Sequence, residues 1–403
     1  MKLLWVKTDF LHPTTRGGQI RTLEMLRHLH RQHEVHYVGF RGPSESEGVE
    51  RSSEYCTRAY PIEFDALEKT SWRFGGQLIG GLFDPVPLAV SRYRSPAMRQ
   101  MVDGLRRDVR FDRVVCDFLA PAVNFTSLRG VILFQHNVET MIWRRRVEHA
   151  RNAAERAYFQ LQAHRMFHYE RRICQAADGV IAVSEADTGR MREMFSVDKI
   201  GEVGTGVNLE YFQRPADTPA AGMDLIFVGS MDWAPNSDGI LYFVSEILPL
   251  IRQQRPATRL TVVGRSPGPE IQALAAADPG IAVTGTVPDV RPYLWDAKVS
   301  IVPLRIGGGT RLKIYEAMAA KTPTVSTRVG AEGIPAEHPT TIRLADEPRD
   351  FAHHCVELLE QGPARDAMAE AAWEMVNRNG SWETVTRQFE ERMDRFSAQP
   401  LSL

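Results

Sequence analysis

Cysteine is scarce in this chain of 403 residues, and no two of its four cysteines form a Cys-x-x-Cys pair. That spacing disfavours a disulfide framework and a cysteine-rich metal site, and it favours a reducing, cytoplasmic compartment. The sequence also lacks an Asp-x-Asp pattern that could hold a divalent cation. His164 and His168 stand four residues apart, a spacing that can bind a metal, but no third ligand is in view. We therefore expect no metal site.

Long apolar runs are lacking as well, since no window approaches about 18 uninterrupted apolar residues. The first apolar run, which Lys7 interrupts, is too short for a signal peptide. The sequence thus predicts no transmembrane helix, and any membrane contact is expected to be peripheral, at the inner face of the membrane.

Neither sign of charge is in excess, because the formal net charge is −1. No global field favours nucleic acid, so we expect no nucleic-acid partner. With 43% hydrophobic and 25% charged residues, the composition is that of a soluble globular protein. The length predicts two domains, each with its own core.

The most informative stretch begins with an apolar run, Val299 to Leu304, that is typical of a strand buried on both faces. The run breaks at Gly307-Gly308-Gly309, and Thr310 follows as a helix N-cap. A strand, a glycine turn and a helix start direct free backbone N–H groups and the positive end of a helix dipole at one point. The pattern predicts a phosphate site, although glycine turns before helices also occur without one.

Three charged residues extend this prediction. Arg311 stands at the start of the helix, where a guanidinium can donate two hydrogen bonds to phosphate oxygens. Lys313 and Glu316 are three residues apart and share one helix face. A carboxylate one turn from a diphosphate could accept hydrogen bonds from ribose hydroxyls. The alternative is an ordinary surface ion pair between Lys313 and Glu316.

The segment GGGTRLK at 307–313, followed by EAMAAKTPTV at 316–325, resembles the donor-binding segment of retaining, group 1 glycosyltransferases of family GT4. The resemblance is to a branch that carries the triple glycine. It implies an α/β protein of the GT-B fold, with two Rossmann-like doubly wound domains that face a central cleft. It also implies that Glu316 holds the ribose of a nucleotide-sugar. The backbone amides that it places at the diphosphate are those of Thr310–Leu312, and Gly308 and Gly309 just before them are also assigned to substrate binding.

The chain departs from that family pattern at two places. Most members carry a second glutamate eight positions before the first, where this chain has Gly308. The identity of the sugar is therefore open. Relatives also carry an arginine and a lysine just after the first strand of the second domain, where this chain reads Ser230 to Asn236. Because a leaving diphosphate needs positive charge beside it, we predict that Arg311 and Lys313 replace that pair as catalytic cations.

The N-terminal half reads as a β-α-β unit, with a strand near residue 3, a helix from Gln19 and a strand from Glu34. Gly17 and Gly18 stand just before the helix, at the carboxyl end of the strand, where open α/β sheets bind ligands. By themselves two glycines indicate turn geometry at least as strongly as a site. In GT4 enzymes a matching pair brings backbone amides against the donor diphosphate, so we assign both glycines to the donor.

His136 directly follows another predicted strand, Gly130 to Phe134. A histidine at such a position can be a satisfied structural group. The family resemblance implies instead that it contacts the donor sugar or phosphate, and we predict this catalytic role.

A long helical region between Met141 and Gln175 contains eight arginines and three glutamates, with aromatic residues between them. A basic helix with aromatics can lie on an anionic membrane. The alternative is a core-packing helix with a solvated basic face.

The second half again alternates strands and helices, starting with the strand from Asp224 that ends at Gly229. We predict an acceptor-side domain over 1–205, a nucleotide-sugar-binding domain over 206–382, and a helix at 383–403 that crosses back to the first domain. Gly229 is expected beside the donor. The resemblance implies that the loop carrying Thr286 and Val287 holds the base by main-chain contacts.

The sequence as a whole predicts a metal-independent, hexosyltransferase-type enzyme without a cofactor. We expect transfer, with retention, from a UDP- or GDP-linked sugar to a hydroxyl of a glycan or lipid-linked acceptor, in cell-surface or exopolysaccharide biosynthesis. Two alternatives stay open. One is a non-catalytic nucleotide-sugar-binding partner of a polysaccharide assembly complex, and the other is a sugar-nucleotide 2-epimerase of the same fold.

Overall fold

The structure is a computed structural model that describes residues 1–14, 17–42, 46–64, 84–216, 218, 222–307 and 312–397. Its chain divides into two compact units. The first unit combines Met1–Gly204 with the chain from Val385 onward, and the second unit is Thr205–Thr384.

The first unit is built on a parallel sheet of seven strands in the order β3-β2-β1-β4-β5-β6-β7. Its strands are β1 (Lys2–Val6), β2 (Glu34–Arg41), β3 (Arg58–Glu63), β4 (Arg113–Asp117), β5 (Val131–Gln135), β6 (Gly179–Ala182) and β7 (Ile200–Glu202). The described helices of this unit are α1 (Gly17–Leu29), α2 (Glu47–Glu50), α3 (Leu88–Ser91), α4 (Pro96–Asp108), α5 (Glu139–Glu148), α6 (Ala153–Ala176) and α7 (Glu185–Phe195), with 3-10 turns at Ser52–Glu54 and Ala120–Asn124.

The second unit is built on a parallel sheet of six strands in the order β10-β9-β8-β11-β12-β13. Its strands are β8 (Met223–Val228), β9 (Leu260–Val263), β10 (Ile281–Val283), β11 (Ala297–Val302), β12 (Thr324–Ser326) and β13 (Arg343–Leu344). The described helices are α8 (Leu209–Phe212), α9 (Ala234–Tyr242), α10 (Leu248–Gln254), α11 (Pro269–Ala277), α12 (Arg291–Asp296), α13 (Leu312–Ala319), α14 (Pro348–Glu360) and α15 (Gly362–Asn379), with a π-helical turn at Phe243–Ile247. The last helix, α16 (Trp382–Ser397), begins in this unit and continues into the first.

Both sheets are entirely parallel and doubly wound, which confirms the predicted fold class. Helices cover both faces of such a sheet, so its strands must be apolar on both sides. β1 meets this requirement, since Leu3, Leu4, Trp5 and Val6 are all fully buried. In each sheet the strand order reverses between two central neighbours, β1 and β4 in the first and β8 and β11 in the second. The carboxyl ends of those strands are where doubly wound sheets bind ligands.

The basic helical region forms α5 and α6, and several of its aromatic side chains belong to the core of the first unit. Trp143 is 7% exposed and Tyr169 is 3% exposed. These burials fit the core-packing alternative for this region. Among the described residues, the chain has no helix with both the length and the apolar character that crossing a membrane requires.

Candidate functional site

A buried ionic cluster occupies the carboxyl ends of β1, β4 and β5 in the first unit. Asp117, at the end of β4, is fully buried, and its Oδ2 atom accepts hydrogen bonds from Lys7 Nζ at 3.0 Å, Trp5 Nε1 at 3.0 Å and Thr22 Oγ1 at 2.7 Å. Its Oδ1 atom lies 2.7 Å from Nε2 of His136. Because β1, β4 and β5 are neighbours in the sheet, their ends bring Lys7, Asp117 and His136 together at the switch in strand order.

The electrostatics of this cluster fix the protonation of its members. Burial alone would raise the pKa of Asp117, but the charge of Lys7 and the hydrogen bond from His136 hold it well below its usual range. Burial lowers the pKa of His136 to about 4, against the opposing effect of Asp117. At neutral pH the carboxylate is therefore ionised and the imidazole is neutral.

The neutral imidazole has a defined tautomer. An ionised carboxylate can only accept hydrogen bonds, so Nε2 of His136 carries the proton that is donated to Asp117. Nδ1 is left with its lone pair and can accept a hydrogen bond. A substrate hydroxyl is one group that could donate to it.

Phe118 connects this cluster to the glycine pair. Its ring stacks on His136 with a centroid separation of 3.8 Å and an angle of 9°, and Lys7 Nζ lies 4.1 Å from the ring centroid. A Cβ atom on Gly18 would lie 2.6 Å from Cζ of Phe118, so this position has room only for glycine. The backbone of Phe118 has a φ of 74°, a conformation that is rare for a bulky residue. Gly17 and Gly18 are the first two residues of α1. The structure thus places two predicted site residues, Gly18 and His136, against the ring of Phe118.

Sequence reasoning missed Lys7, Asp117 and Phe118 as members of this site. Lys7 directly follows one buried strand, and Asp117 is the last residue of another. A charged residue that closes an otherwise apolar parallel strand needs a partner, because burying it alone is costly. That signal is sufficient to identify the two residues as a candidate ion pair.

A second group of residues lies at the carboxyl end of β8 in the second unit. Lys313, on α13, donates a hydrogen bond from Nζ to Oδ1 of Asn236 at 2.8 Å. Asn236 is 3% exposed, and its Nδ2 donates to the carbonyl oxygen of Ser230 at 2.7 Å. A Cβ atom on Gly229 would lie 2.6 Å from Lys313 Nζ, so the ammonium group rests against a glycine that has no room for a side chain.

Arg265 brings a second positive charge to the same place, and sequence reasoning missed it. This residue follows β9, and its Nε donates to Oγ of Ser230 at 3.1 Å, while its guanidinium pairs with Asp232 at 2.9 Å. The backbones of Gly229 and Gly264 approach so closely that a Cβ on Gly264 would lie 1.8 Å from the Gly229 carbonyl oxygen. Arg265 and Lys313 therefore flank the position where the family pattern lacked its two cations.

Glu316 lies one turn further along α13 and is half-buried. Burial raises its pKa to about 7, although the nearby charge of Lys313 acts in the opposite direction. Among the ion pairs of the described residues, none joins Lys313 to Glu316, which disfavours the surface ion-pair alternative. Leu312, the first residue of α13, is buried.

The other predicted residues of the second unit fall into two sets. Gly308, Gly309, Thr310 and Arg311 lie outside the described residues. Thr286 and Val287 lie in the loop after the edge strand β10, which is separated from β8 by β9. Thr286 is exposed, and Val287 packs partly against the core of the second unit. Among the described residues, no group of three or more His, Cys, Asp or Glu is arranged to hold a metal ion.

Two family models match the chain. Residues 15–211 match the model described as Glycosyltransferase Family 4, and residues 222–361 match the model described as Glycosyl transferases group 1. A curated relative from Klebsiella pneumoniae, described as an uncharacterized 44.6 kDa protein in the cps region, is 23% identical over 163 residues. That match covers 39% of this chain and 42% of the relative.

Solved structures with the same architecture come from several organisms. Sucrose-phosphate synthase from Thermosynechococcus elongatus superimposes with a TM-score of 0.75 and 18% identity, over 99% of this chain and 100% of that one. HepE from Anabaena, solved in complex with UDP-glucose, superimposes with a TM-score of 0.68 and 12% identity, over 98% of this chain and 100% of that one. A glycosyltransferase from Rickettsia africae superimposes with a TM-score of 0.66 and 16% identity, over 99% of each chain. These likenesses show that the fold is shared.

Proposed function

We propose that this glycosyltransferase of the GT-B fold, which matches the family 4 and group 1 models, transfers a sugar, with retention, from a UDP- or GDP-linked donor to a hydroxyl of a glycan or lipid-linked acceptor. The observation that carries this proposal is the placement of Lys313. Its ammonium group is held by buried Asn236 against Gly229, at the switch in strand order of the second unit. That position is where a doubly wound sheet receives the phosphates of a nucleotide.

The diphosphate is the leaving group of this reaction, and negative charge builds up on it as the bond to the sugar breaks. Preorganised cations and backbone N–H groups stabilise such charge without having to reorganise during the step. Lys313 supplies one cation and we assign Arg311 as another, while Arg265, whose charge Asp232 partly offsets, adds to them. The backbone amides at the start of α13 and the positive end of its dipole act in the same direction. We propose that these groups together make the reaction independent of metal.

The nucleoside is assigned to two other parts of the second unit. Glu316 is placed to accept hydrogen bonds from the ribose hydroxyls, and the loop at Thr286 and Val287 is assigned to the base. The HepE relative binds UDP-glucose, which makes UDP the first nucleotide to test. Gly308 stands where most relatives have a glutamate, so no sugar is assigned.

The first unit is assigned to the acceptor, with Gly17 and Gly18 at the donor diphosphate. His136 can accept a hydrogen bond at Nδ1 from a hydroxyl of the donor sugar, since its proton is committed to Asp117 at Nε2. Its low pKa makes it a neutral group at pH 7, so we assign it to binding and orientation at the reacting sugar. We propose that the departing phosphate oxygen takes the proton of the acceptor hydroxyl from the same face, which gives retention.

The decisive experiment has two stages. A thermal-shift screen against UDP, GDP, ADP and their sugars should raise the melting temperature with one nucleotide family, since a ligand that binds only the folded state stabilises it. With that donor, release of free nucleoside diphosphate should depend on an added acceptor. Failure of all three nucleotide families to stabilise the protein would overturn the proposal.

The same experiment separates two other candidate functions. Gly308 favours a non-catalytic nucleotide-sugar-binding partner of a polysaccharide assembly complex, which would bind nucleotide but release none with any acceptor. A sugar-nucleotide 2-epimerase would convert its donor without an acceptor. We place the enzyme in cell-surface or exopolysaccharide biosynthesis, and linkage analysis of surface glycans in a deletion strain would test this.

A further inference from the structure

A cavity of about 550 Å³ opens in the first unit, away from the ionic cluster around Asp117. Its walls come from the segment that leads into β5, from α4 and from the last turns of α6. Because Leu128 and its neighbours precede β5, the cavity lies toward the amino end of that strand. Lys7, Asp117 and His136 lie at the carboxyl ends of their strands, so the cavity is a separate place on the same unit.

The charged residues that line this cavity are all positive. Its lining includes four arginines and no aspartate or glutamate. The arginines are Arg94, Arg99, Arg129 and Arg172. In the part of the chain that the structure describes, Arg94 pairs with Asp84 at 2.9 Å, and the other three have no carboxylate partner. Three uncompensated positive charges therefore share one concave space, which concentrates a positive potential there.

Two of these arginines are already held in place. Arg99 donates from its guanidinium to the carbonyl oxygen of Val123 at 3.2 Å. The guanidinium of Arg172 lies 5.4 Å from the centroid of the Tyr169 ring. An anion that enters the cavity would therefore meet groups whose positions are partly fixed, which reduces the entropy lost on binding.

The floor of the cavity is apolar. Phe125, Leu128 and Ile173 line it, and each is less than a tenth exposed. Thr126 and Ser127 stand beside them, and the Thr126 hydroxyl donates a hydrogen bond to Oδ2 of Asp103 at 2.6 Å. The lining thus combines guanidinium groups with an apolar surface, and it suits a ligand that carries an anionic group next to an apolar portion.

We propose that this cavity is an anion site that binds the phosphate or diphosphate group of such a ligand. A guanidinium can donate two parallel hydrogen bonds to phosphate oxygens, and several guanidiniums can share the oxygens of one diphosphate. A phosphomonoester carries roughly −1.5 to −2 charge near pH 7, whereas a carboxylate carries one, so phosphate fits the number of cations better. A single contact between an exposed arginine and a phosphate is weak, so the affinity for the anion depends on several arginines acting together. The inference does not rest on the proposed transferase activity, because none of the four arginines belongs to the donor-binding residues.

Calorimetric titration of the full chain with sodium pyrophosphate at low ionic strength tests this site. The variant Arg129→Ala plus Arg172→Ala should bind at least about tenfold more weakly, a change of about 1.4 kcal/mol. The control variant is Arg110→Ala plus Arg171→Ala, which removes two exposed arginines of the same unit that do not line the cavity. The pyrophosphate affinity of this control variant should lie within about twofold of that of the unchanged chain. Equal losses in both variants would show only a general charge effect and would overturn the site.

Hydrogen exchange localises the bound anion, which is needed because the proposed donor site also receives a diphosphate. Pyrophosphate should slow amide exchange in residues 122–129 of the unchanged chain and of the control, but not of the Arg129→Ala plus Arg172→Ala variant. No protection of this segment in the unchanged chain would overturn the proposal. Loss of nucleotide binding with this protection intact would count against the proposed function alone.

Vesicles distinguish the two sources of the phosphate group. Phosphatidylcholine vesicles that contain phosphatidic acid should sediment the unchanged chain and the control if the group belongs to a lipid. Pyrophosphate binding without such sedimentation would identify a soluble phosphate ligand. Either result supports the site when pyrophosphate also protects residues 122–129, and sedimentation that the Arg129→Ala plus Arg172→Ala variant retains would overturn a lipid source.

Discussion

The imidazole of His136 donates from Nε2 to Oδ1 of Asp117 across 2.7 Å, in a part of the first unit where both side chains are almost completely buried. This contact connects a residue that the family resemblance assigns to the donor with a carboxylate that also holds Lys7. It follows that the orientation of His136 depends on an ionised Asp117.

Replacing His136 with alanine should reduce kcat far more than it reduces nucleotide affinity, because the imidazole is assigned to the reacting sugar and the nucleoside to the second unit. Steady-state kinetics together with nucleotide titration would measure both effects. The exposed His164 on α6 provides a control, since His164→Ala should leave both quantities unchanged. Equal activity in His136→Ala and the unchanged enzyme would refute the assignment.

Replacing Asp117 with asparagine should destabilise the first unit by about 3–5 kcal/mol, because it leaves the buried ammonium of Lys7 without its counter-charge. Urea unfolding followed by circular dichroism would measure the loss. Asp108→Asn is the matched control, since Asp108 forms an exposed pair with Arg107 and should change stability by less than about 1 kcal/mol. A loss no larger than that of the control would mean that Lys7 finds another partner.

Replacing Gly18 with alanine should lower kcat while the protein stays folded, because the new Cβ would displace the Phe118 ring that stacks on His136. Gly104→Ala is the control within a helix of the same unit, where the nearest atom to a new Cβ is 3.8 Å away. That change should stabilise the protein by roughly 0.5–1 kcal/mol, because alanine favours a helix over glycine. Activity measurements and thermal unfolding of both variants would check the contrast, and full activity in Gly18→Ala would contradict it.

Removing Arg311 and Lys313 together by alanine substitution should lower kcat by orders of magnitude, since the leaving diphosphate loses positive charge in the transition state. Asn236→Ala should show a smaller loss in the same direction, because Lys313 then lacks the amide that fixes it. Lys298→Ala is the control: it removes a lysine that pairs with Asp224 at the amino end of β11. Single-turnover rates would separate this effect from donor binding, and an unchanged rate in the double variant would remove the proposal.

Nucleotide affinity should rise as the pH passes through about 7, because Glu316 has a pKa of about 7 in the folded protein and its carboxylate accepts hydrogen bonds best when ionised. The stability of the folded protein should change in the opposite direction and fall as the pH rises. The pKa of Glu316 in the folded protein lies above its ordinary value of 4.5. The contribution of Glu316 to the free energy of unfolding is therefore complete below pH 4.5 and is lost as the pH rises through 7. Glu316→Gln should flatten both dependences. Titrations of nucleotide and urea at pH values from 5 to 9 would measure them, and a pH-dependent affinity in the glutamine variant would assign the titration to another group.

The amino-acid sequence by itself determined the two doubly wound units, since alternating apolar runs and helical periodicity are local properties that each segment carries. Together with the family resemblance, it also indicated Gly18, His136, Lys313 and Glu316 as candidate site residues at strand ends and helix starts. Only the tertiary structure decided which of these residues meet. Lys7 and Asp117 are 110 positions apart, and Lys313 and Asn236 are 77 apart.

The physical reason is that strand order is not a local property. A parallel sheet brings the carboxyl ends of its strands to one edge, but which strands are neighbours depends on crossovers and packing over the whole unit. The sequence therefore showed that charged residues stand at the carboxyl ends of several apolar strands. The adjacency of β1, β4 and β5, and of β8 and β9, then decided that Asp117 would hold Lys7 and His136, and that Arg265 would lie beside Ser230.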